Sequence, residues 1–254
     1  MCSEEVLAEL ITVLHRDDSL VAVHKPAGLL VHRSEGAPYD RRFALQMVRN
    51  QIRQRVYPVH RLDRPTSGVL VFALSPQAAR ALVDAFATGQ VVKRYLTVVR
   101  GFTEPQGVVD YPLREHPGSP AQTSEHVDKP AQPAITDYCR LATAELPFAT
   151  KRYPTSRYSL VEAYPRTGRT HQIRRHMKHI CHPVIGDTTH GDGSHNRLFR
   201  ERLDCRRLLL TATQISLPHP DTGKVVTIRA PLDEDFRAVM RALSWESAGE
   251  AQFR

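Results

Sequence analysis

Apolar runs of period two and stripes of helical period interleave along this chain, separated by turn signals. "SLVAVHKPAGLLVH" (19–32) reads as a strand, a turn over Lys25–Gly28 and a second short strand. Residues 41–53 carry Leu45, Val48 and Ile52 at helical spacing. "VLVFAL" (69–74) is a continuous apolar run, the mark of a strand buried on both faces. Ser75 and Pro76 then supply an N-cap and a first-turn proline. The helix they open places Ala79, Leu82, Val83 and Phe86 on one face and stops at Gly89. "KRYLTVVRG" (93–101) is a strand.

Residues 103–135 are rich in Pro, Gly, Gln and charge, and read as a long mobile connection with one short strand near Val108–Asp110. Strands resume at "TDYCRLATAEL" and "SRYSLVEAY" (156–164). "THQIRRHMKHI" (170–180) predicts a helix with Thr170 as N-cap and Ile173, Met177 and Ile180 as its buried stripe. "HGDGSHNRLFRERLDCRR" reads as an irregular basic loop. "LLLTATQISL" and "KVVTIRA" form a hairpin, and a last helix from Asp233 buries Phe236, Val239, Met240 and Leu243. The C-terminal "SWESAGEAQFR" reads as frayed. Strands and helices mix without regular alternation, and hairpins recur. The expected class is α+β with a largely antiparallel sheet. The whole chain, 1–254, reads as a single domain with its core at about 11–243.

Composition narrows the function. Hydrophobic residues make up 41% and charged residues 24%, ordinary for a globular protein. No apolar run approaches a membrane span, the N-terminus lacks a secretory pattern, and the four cysteines form no C-x-x-C pair, so the cytoplasm is expected. Net charge is +8, carried by 29 Arg against 6 Lys. That bias suits bidentate phosphate contacts and stacking on bases, and points to a nucleic-acid partner. No obligatory protein partner is evident.

Three stretches carry candidate chemistry. In "HRLDRPTSG" (60–68), Asp63 sits between Arg61 and Arg64. In isolation it reads equally as a turn residue or as a carboxylate kept charged by cations. Such a carboxylate can act as nucleophile, as general base or as stabiliser of a cationic sugar transition state. Ser67 lacks the G-x-S-x-G setting of a hydrolase nucleophile. In "TGRTHQIRRHMKHICH" (167–182), bases and histidines accumulate with no acid, and Arg174 with Lys178, and His171 with Arg175, lie one turn apart. A phosphate backbone or a carboxylate would suit those faces. Zinc on His176, His179, Cys181 and His182 is disfavoured by the surrounding cations. Tyr95 in "KRYL" is either a core residue or a platform for an unstacked base.

Taken together, "HRLDRPTSG", "KRYLTVVRG", "RTGRTHQIRRHM" and "HPVIGD" resemble, in this order, the motifs of the RluA-type pseudouridine synthases, over about residues 19–230. The resemblance implies an α+β pseudouridine synthase fold with a long mixed, mostly antiparallel sheet, flanking helices and a central cleft. It implies no cofactor and no metal. By position it makes Asp63 the essential aspartate, Tyr95 the base-stacking tyrosine that serves proton abstraction at C5, and Arg174 the partner of the aspartate. Arg61 would enter the space of the flipped base, and Ile173 would be an apolar wall. Arg169, Arg175 and Lys178 are expected to contact RNA. The N-terminal S4 RNA-binding domain that many relatives carry is not expected here. "RYPTSRYSLVEAYPRTGR" and "GDTTHGDGSHNR" point to the branch acting on tRNA, at uridine 65. A ribosomal-RNA enzyme of the same chemistry, and a non-catalytic RNA-binding module, are the alternatives.

Overall fold

The computed structural model describes residues 10–32, 42–114, 130–150 and 153–250. The first strands form a hairpin, β1 (Thr12–Arg16) with β2 (Leu20–Lys25). Helix α1 (Ala44–Ile52) follows, then β3 (Tyr57–Pro58), β4 (Ser67–Ala73), α2 (Pro76–Ala87) and β5 (Val92–Arg100). The middle of the chain supplies β6 (Gln106–Asp110), β7 (Ile135–Leu146), β8 (Ser156–Pro165), α3 (Gln172–His179) and α4 (Gly193–Arg202). The chain closes with β9 (Leu210–Pro218), β10 (Val225–Arg229), α5 (Glu234–Ala242) and α6 (Glu246–Glu250). The ten strands of the described residues join one sheet, ordered β1-β2-β4-β9-β5-β8-β7-β6, with β3 on β4 and β10 on β9. Every strand pairing is antiparallel except β4 with β9, which meet in parallel. Among the described residues no helix is long and apolar enough to cross a membrane.

Strand alternation decides which helix covers which face. Leu70 and Phe72 of β4 pack on Ala44 and Val48 of α1, and Val99 and Val161 pack on Ile173 and Met177 of α3. On the opposite face, Val69 and Val71 meet Leu82 and Ala85 of α2, while Leu96 and Val98 meet Phe199 of α4 and Phe236 of α5. All seven residues of β4 are buried, as its unbroken apolar run predicts. Ser75 caps α2 by accepting the Ala78 N–H at 3.1 Å, with Pro76 in the first turn, a device worth about 1 kcal/mol.

Several expectations need correction. The buried face of α2 is Ala78, Leu82 and Ala85, and Val83 is exposed, because the sheet meets the helix one position away from the bulkiest stripe. The strand expected after Gly28 shrinks to a single bridge between Leu30 and Phe43. The basic segment after His190 is not a loop. Asp192 accepts the Ser194 N–H and starts α4, which buries His195, Leu198 and Phe199. The tail is not frayed at its start, since Trp245 is buried and donates to the Thr143 carbonyl at 3.1 Å. β6 appears where the short strand was expected, but residues 115–129 of the long connection and the last four residues lie outside the described residues.

The sheet nearly parts between β4 and β9, which share only the pairs Ser67–Thr211 and Gly68–Ala212. Gly68, with φ +112°, sits at this contact, and a Cβ there would fall inside the Ala212 carbonyl. Beyond it, His60 Nε2 accepts the Val71 N–H at 2.9 Å, replacing a missing strand neighbour. Gly68→Ala is therefore expected to lower unfolding free energy by roughly 3 kcal/mol, from overpacking together with the left-handed strain. Urea denaturation checks this, and a change below about 1 kcal/mol would mean the two strands can part without cost.

Candidate active site

The cleft opens where the sheet parts. It encloses about 440 Å³ and is lined by the 59–66 loop, the end of α2, Lys93 and Tyr95 of β5, and the 165–174 segment. Asp63 is placed by a tight turn in which Thr66 N–H donates to its carbonyl at 3.0 Å. That turn is tied to the next loop. The buried Lys25 ammonium donates to the carbonyls of Pro26, Leu29 and Arg64 at 2.9, 2.8 and 3.1 Å. Burial, helped by the nearby Arg207 charge, pushes Lys25 down to about 7 against the opposing pull of Asp63 and Asp233. Arg64 itself reaches the Gly28 carbonyl at 3.0 Å. Among the described residues neither Arg64 nor Arg61 is ion-paired with Asp63, so the sequence neighbours are not its cationic partners. Arg61 is exposed on the cleft rim.

The partner is Arg174, 111 positions away, whose Nη1 lies 3.0 Å from Asp63 Oδ2. Arg174 is 3% exposed. Its Nε and Nη2 form a two-pronged bond with Asp187, at 2.7 and 2.8 Å. Asp187 also accepts the backbone N–H groups of Thr189 and His190, both at 2.9 Å. Against the opposing effect of burial, these donors hold the Asp187 carboxyl below its ordinary range, and the Asp187 and Asp63 carboxylates hold Arg174 above its own. Asp187 is the positioning residue that sequence reasoning missed. Its signal was present in the "HPVIGD" motif, which carried no assigned role.

Helix α3 does not start at Thr170. His171 occupies the N-cap with φ +54° and no side-chain cap. Gln172 organises the entry instead. Its amide accepts from Arg169 N–H at 3.0 Å and Thr167 Oγ1 at 2.6 Å, and donates to the Ile135 carbonyl and Thr136 Oγ1, both at 2.9 Å. His171 Nε2 lies 3.9 Å from Asp63, and its Nδ1 is 3.0 Å from His190 Nε2.

Tyr95 is half-buried and reaches the cleft beside a β-bulge, where register slips between Arg94–Gln214 and Tyr95–Ala212. Ala212 of β9 lies under the cleft floor, and Ile215, of opposite parity on the strand, lies in the core of the other face. Burial, with the nearby Asp63 charge, pushes the Tyr95 phenol well above its ordinary value, so the free protein carries it neutral. Lys93, pushed down to about 8 by burial, donates to the Thr167 carbonyl at 2.9 Å. Thr66 Oγ1 is buried at the cleft with no hydrogen-bond partner among the described residues.

The remaining expected residues divide. Ile173 is a buried cleft wall, and Arg169 lines the cleft while bonding the Pro133 carbonyl at 3.1 Å. Arg175 and Lys178 are not on the cleft. Arg175 bonds the Arg114 carbonyl at 2.7 Å, and Lys178 faces a separate hollow with Arg100 and His190. Arg175 is turned off the face that carries Arg174, and Lys178, on that face, sits one turn farther along the helix, about 6 Å beyond Arg174. The histidines once weighed for zinc are separately engaged: His176 with Thr136 and Tyr111, His182 with the Arg100 carbonyl, His179 stacked on Tyr111.

The family signature of the RNA pseudouridylate synthases matches residues 19–179, a span that holds Asp63, Tyr95 and Arg174. The chain belongs to this family of isomerases. It is 48% identical to the protein named tRNA pseudouridine synthase C of Vibrio cholerae, over 94% of this chain and 98% of that one. It is 46% identical to the protein of the same name from Haemophilus influenzae, over 94% and 100%. Among solved structures, human RNA Pseudouridylate Synthase Domain Containing 4 superposes with a TM-score of 0.68 at 26% identity, over 92% of this chain and 93% of that one.

Asp187→Asn keeps the shape but removes the charge beneath Arg174. Breaking a buried pair from one side costs about 3–5 kcal/mol, and a loss of that size is expected at pH 7. The depressed Asp187 contributes stability above the unfolded carboxylate pKa of about 3.9 and loses it as pH falls through the lower folded value. The variant should therefore show a shallower acid limb than wild type in urea titrations between pH 7 and 3. Parallel limbs would place the ion pair's strength elsewhere.

Proposed function

We propose that this chain isomerises a uridine of tRNA to pseudouridine, with uridine 65 as the target, using Asp63, Tyr95 and Arg174. The observation that carries the site assignment is the 3.0 Å Asp63–Arg174 contact at a cleft faced by Tyr95. The tRNA assignment is supported by the names of relatives that match this chain over nearly its full length. The described chain acts as one catalytic unit, and the site of action is the cytoplasm, where tRNA is found.

The reaction breaks the N1–C1′ bond, turns the uracil and joins C5 to C1′. The C5 proton leaves and N1 regains one, so no atom is gained or lost overall. A uridine inside a stem must first be flipped out, at a cost of a few kcal/mol. Arg61, exposed at the rim, fills the space it leaves. Arg174 aims the Asp63 carboxylate at the sugar or the ring. Attack at C1′, addition at C6 and deprotonation to a glycal all begin from that oxygen. Tyr95 and Ile173 hold the detached ring between an aromatic face and an apolar wall. Because the Tyr95 phenol is neutral in the free protein, it takes the C5 proton only by passing its own proton on.

Unmodified tRNA and total ribosomal RNA incubated with the purified protein, followed by pseudouridine mapping, test the substrate. Pseudouridine in tRNA supports the reading, modification confined to ribosomal RNA overturns the tRNA assignment, and modification of neither overturns the enzyme reading. Asp63→Asn should cut single-turnover rates by roughly 10³-fold or more while tRNA affinity stays within a few-fold, since only the charge is lost. Near wild-type turnover would remove Asp63 from the mechanism. Tyr95→Phe should retain binding but slow turnover by roughly 10²-fold or more, the usual contribution of a proton-transfer group. An unchanged rate would leave stacking as its whole role.

A further inference from the structure

Arg41 to Leu62 contains six arginines and no acidic residue. Three of these, Arg49, Arg53 and Arg55, line one open surface hollow at the C-terminal end of α1. Arg16 of β1 joins them, its Nη2 3.4 Å from Gln54 Oε1. All four are exposed, and among the described residues none is ion-paired. Their described contacts are with uncharged groups. Arg49 Nε and Nη2 donate to Asn50 Oδ1 at 3.2 and 3.1 Å. Arg55 lies over the Tyr57 ring, 5.0 Å from its centroid. Neutral contacts orient a guanidinium without cancelling its charge, so among the described residues Arg49, Arg53 and Arg55 give the hollow positive charge that no paired carboxylate answers.

A second observation is independent of charge. Arg53 is the C-cap of α1, in the left-handed region at φ +55°, with its N–H bonded to the Arg49 carbonyl. Glycine is the residue that occupies this conformation without strain, and an L side chain there costs stability. An arginine at that position is poorly explained by folding and well explained by a charge needed on that surface. The hollow also has the right placement. α1 packs on the sheet face that carries Leu70, Phe72 and Ala212, and Tyr95 packs against the same cluster. From Arg55 to Val59, the first cleft-lining residue, is at most about 14 Å of extended chain.

We propose that Arg16, Arg49, Arg53 and Arg55 form a docking surface for the sugar-phosphate backbone of the RNA substrate, gripping it to one side of the reacting nucleotide. This rests on RNA being the substrate, and goes beyond the cleft by assigning affinity to a separate surface. The arginines read no bases, so their contribution is salt-dependent and indifferent to sequence.

The test uses the full chain and an unmodified tRNA transcript. Affinity is measured by filter binding between 0.05 and 0.3 M salt, limits set at roughly the range where counterion release dominates. Arg49→Gln/Arg53→Gly/Arg55→Gln is expected to weaken binding about tenfold or more near physiological salt and to reduce the slope of log affinity against log salt by about 2–3. Replacing the same three by Lys should preserve most of the slope. Arg53→Gly alone should match or exceed the wild-type melting temperature while binding tRNA less tightly, which separates an RNA role from a structural one. Unchanged affinity and slope in the triple variant would overturn the proposal, as would weaker binding by Arg53→Gly accompanied by a fall in melting temperature. If wild type binds tRNA without modifying it, the enzyme reading fails while the docking surface is still tested by these affinities.

Discussion

A buried guanidinium needs its charge answered on every side, and that requirement organises this molecule. Arg174 is nearly sequestered from solvent, and two of its three nitrogens are taken by Asp187. The remaining Nη1 points at Asp63. Because the Arg174 fork is planar and rigid, fixing two nitrogens fixes the direction of the third. The position of the cleft carboxylate is thus set from beneath by a group almost wholly withdrawn from solvent. Asp187 is itself immobilised. Its side chain takes two backbone N–H groups, and its carbonyl accepts from Asn196, whose own amide oxygen receives the Gly186 N–H. The start of α4 is therefore part of the apparatus that aims Asp63, although it lies outside the cleft.

The second constraint is that the sheet must open without leaving orphaned backbone groups. β4 and β9 touch at two pairs and then diverge. The His60 ring takes the exposed Val71 N–H of β4, and the Lys25 ammonium gathers three carbonyls from the two loops that frame the turn. His60 is pushed down to about 3 by burial, so it remains a neutral acceptor across the working pH range. The nine residues from His60 to Gly68 thus divide their labour: a ladder substitute, a rim cation, a buried anchor in Leu62, the carboxylate, and a glycine at the one point of closest backbone approach.

Local signals were legible in the sequence, and distant pairings were not. Periodicity placed β4, α1, β5 and the β9–β10 hairpin, and Ser75-Pro76 marked the start of α2, because each depends on neighbours within a few residues. Asp63 and Arg174 lie 111 positions apart, so the cations adjacent in sequence, Arg61 and Arg64, drew the first attention. The resemblance of motifs points to Arg174, which contacts Asp63 in the structure, where spacing had no means to. α4 was hidden for a different reason. Two glycines and five bases within "HGDGSHNRLFRERLDCRR" mask a short apolar face, Leu198 and Phe199, whose burial depends on the far core around Phe236. Charge points Arg175 and Lys178 toward RNA, but it shows neither which way a helix is turned nor how far along it a residue lies from the cleft.

The titration states of the cleft narrow how the proposed isomerisation handles its proton. His60 has its Nε2 lone pair committed to Val71. Lys93, at about 8, is mostly protonated at neutral pH and has no lone pair to offer. The Tyr95 phenol is neutral, and its elevated value makes a standing phenolate costly. A proton leaving C5 then has two direct routes. One runs to Asp63, once its covalent or basic role at the sugar is complete. The other runs through Tyr95 in a concerted transfer, with the phenol releasing its own proton as it accepts another. A site built this way removes the proton without storing a second negative charge beside Asp63, which the burial of the tyrosine would otherwise make expensive.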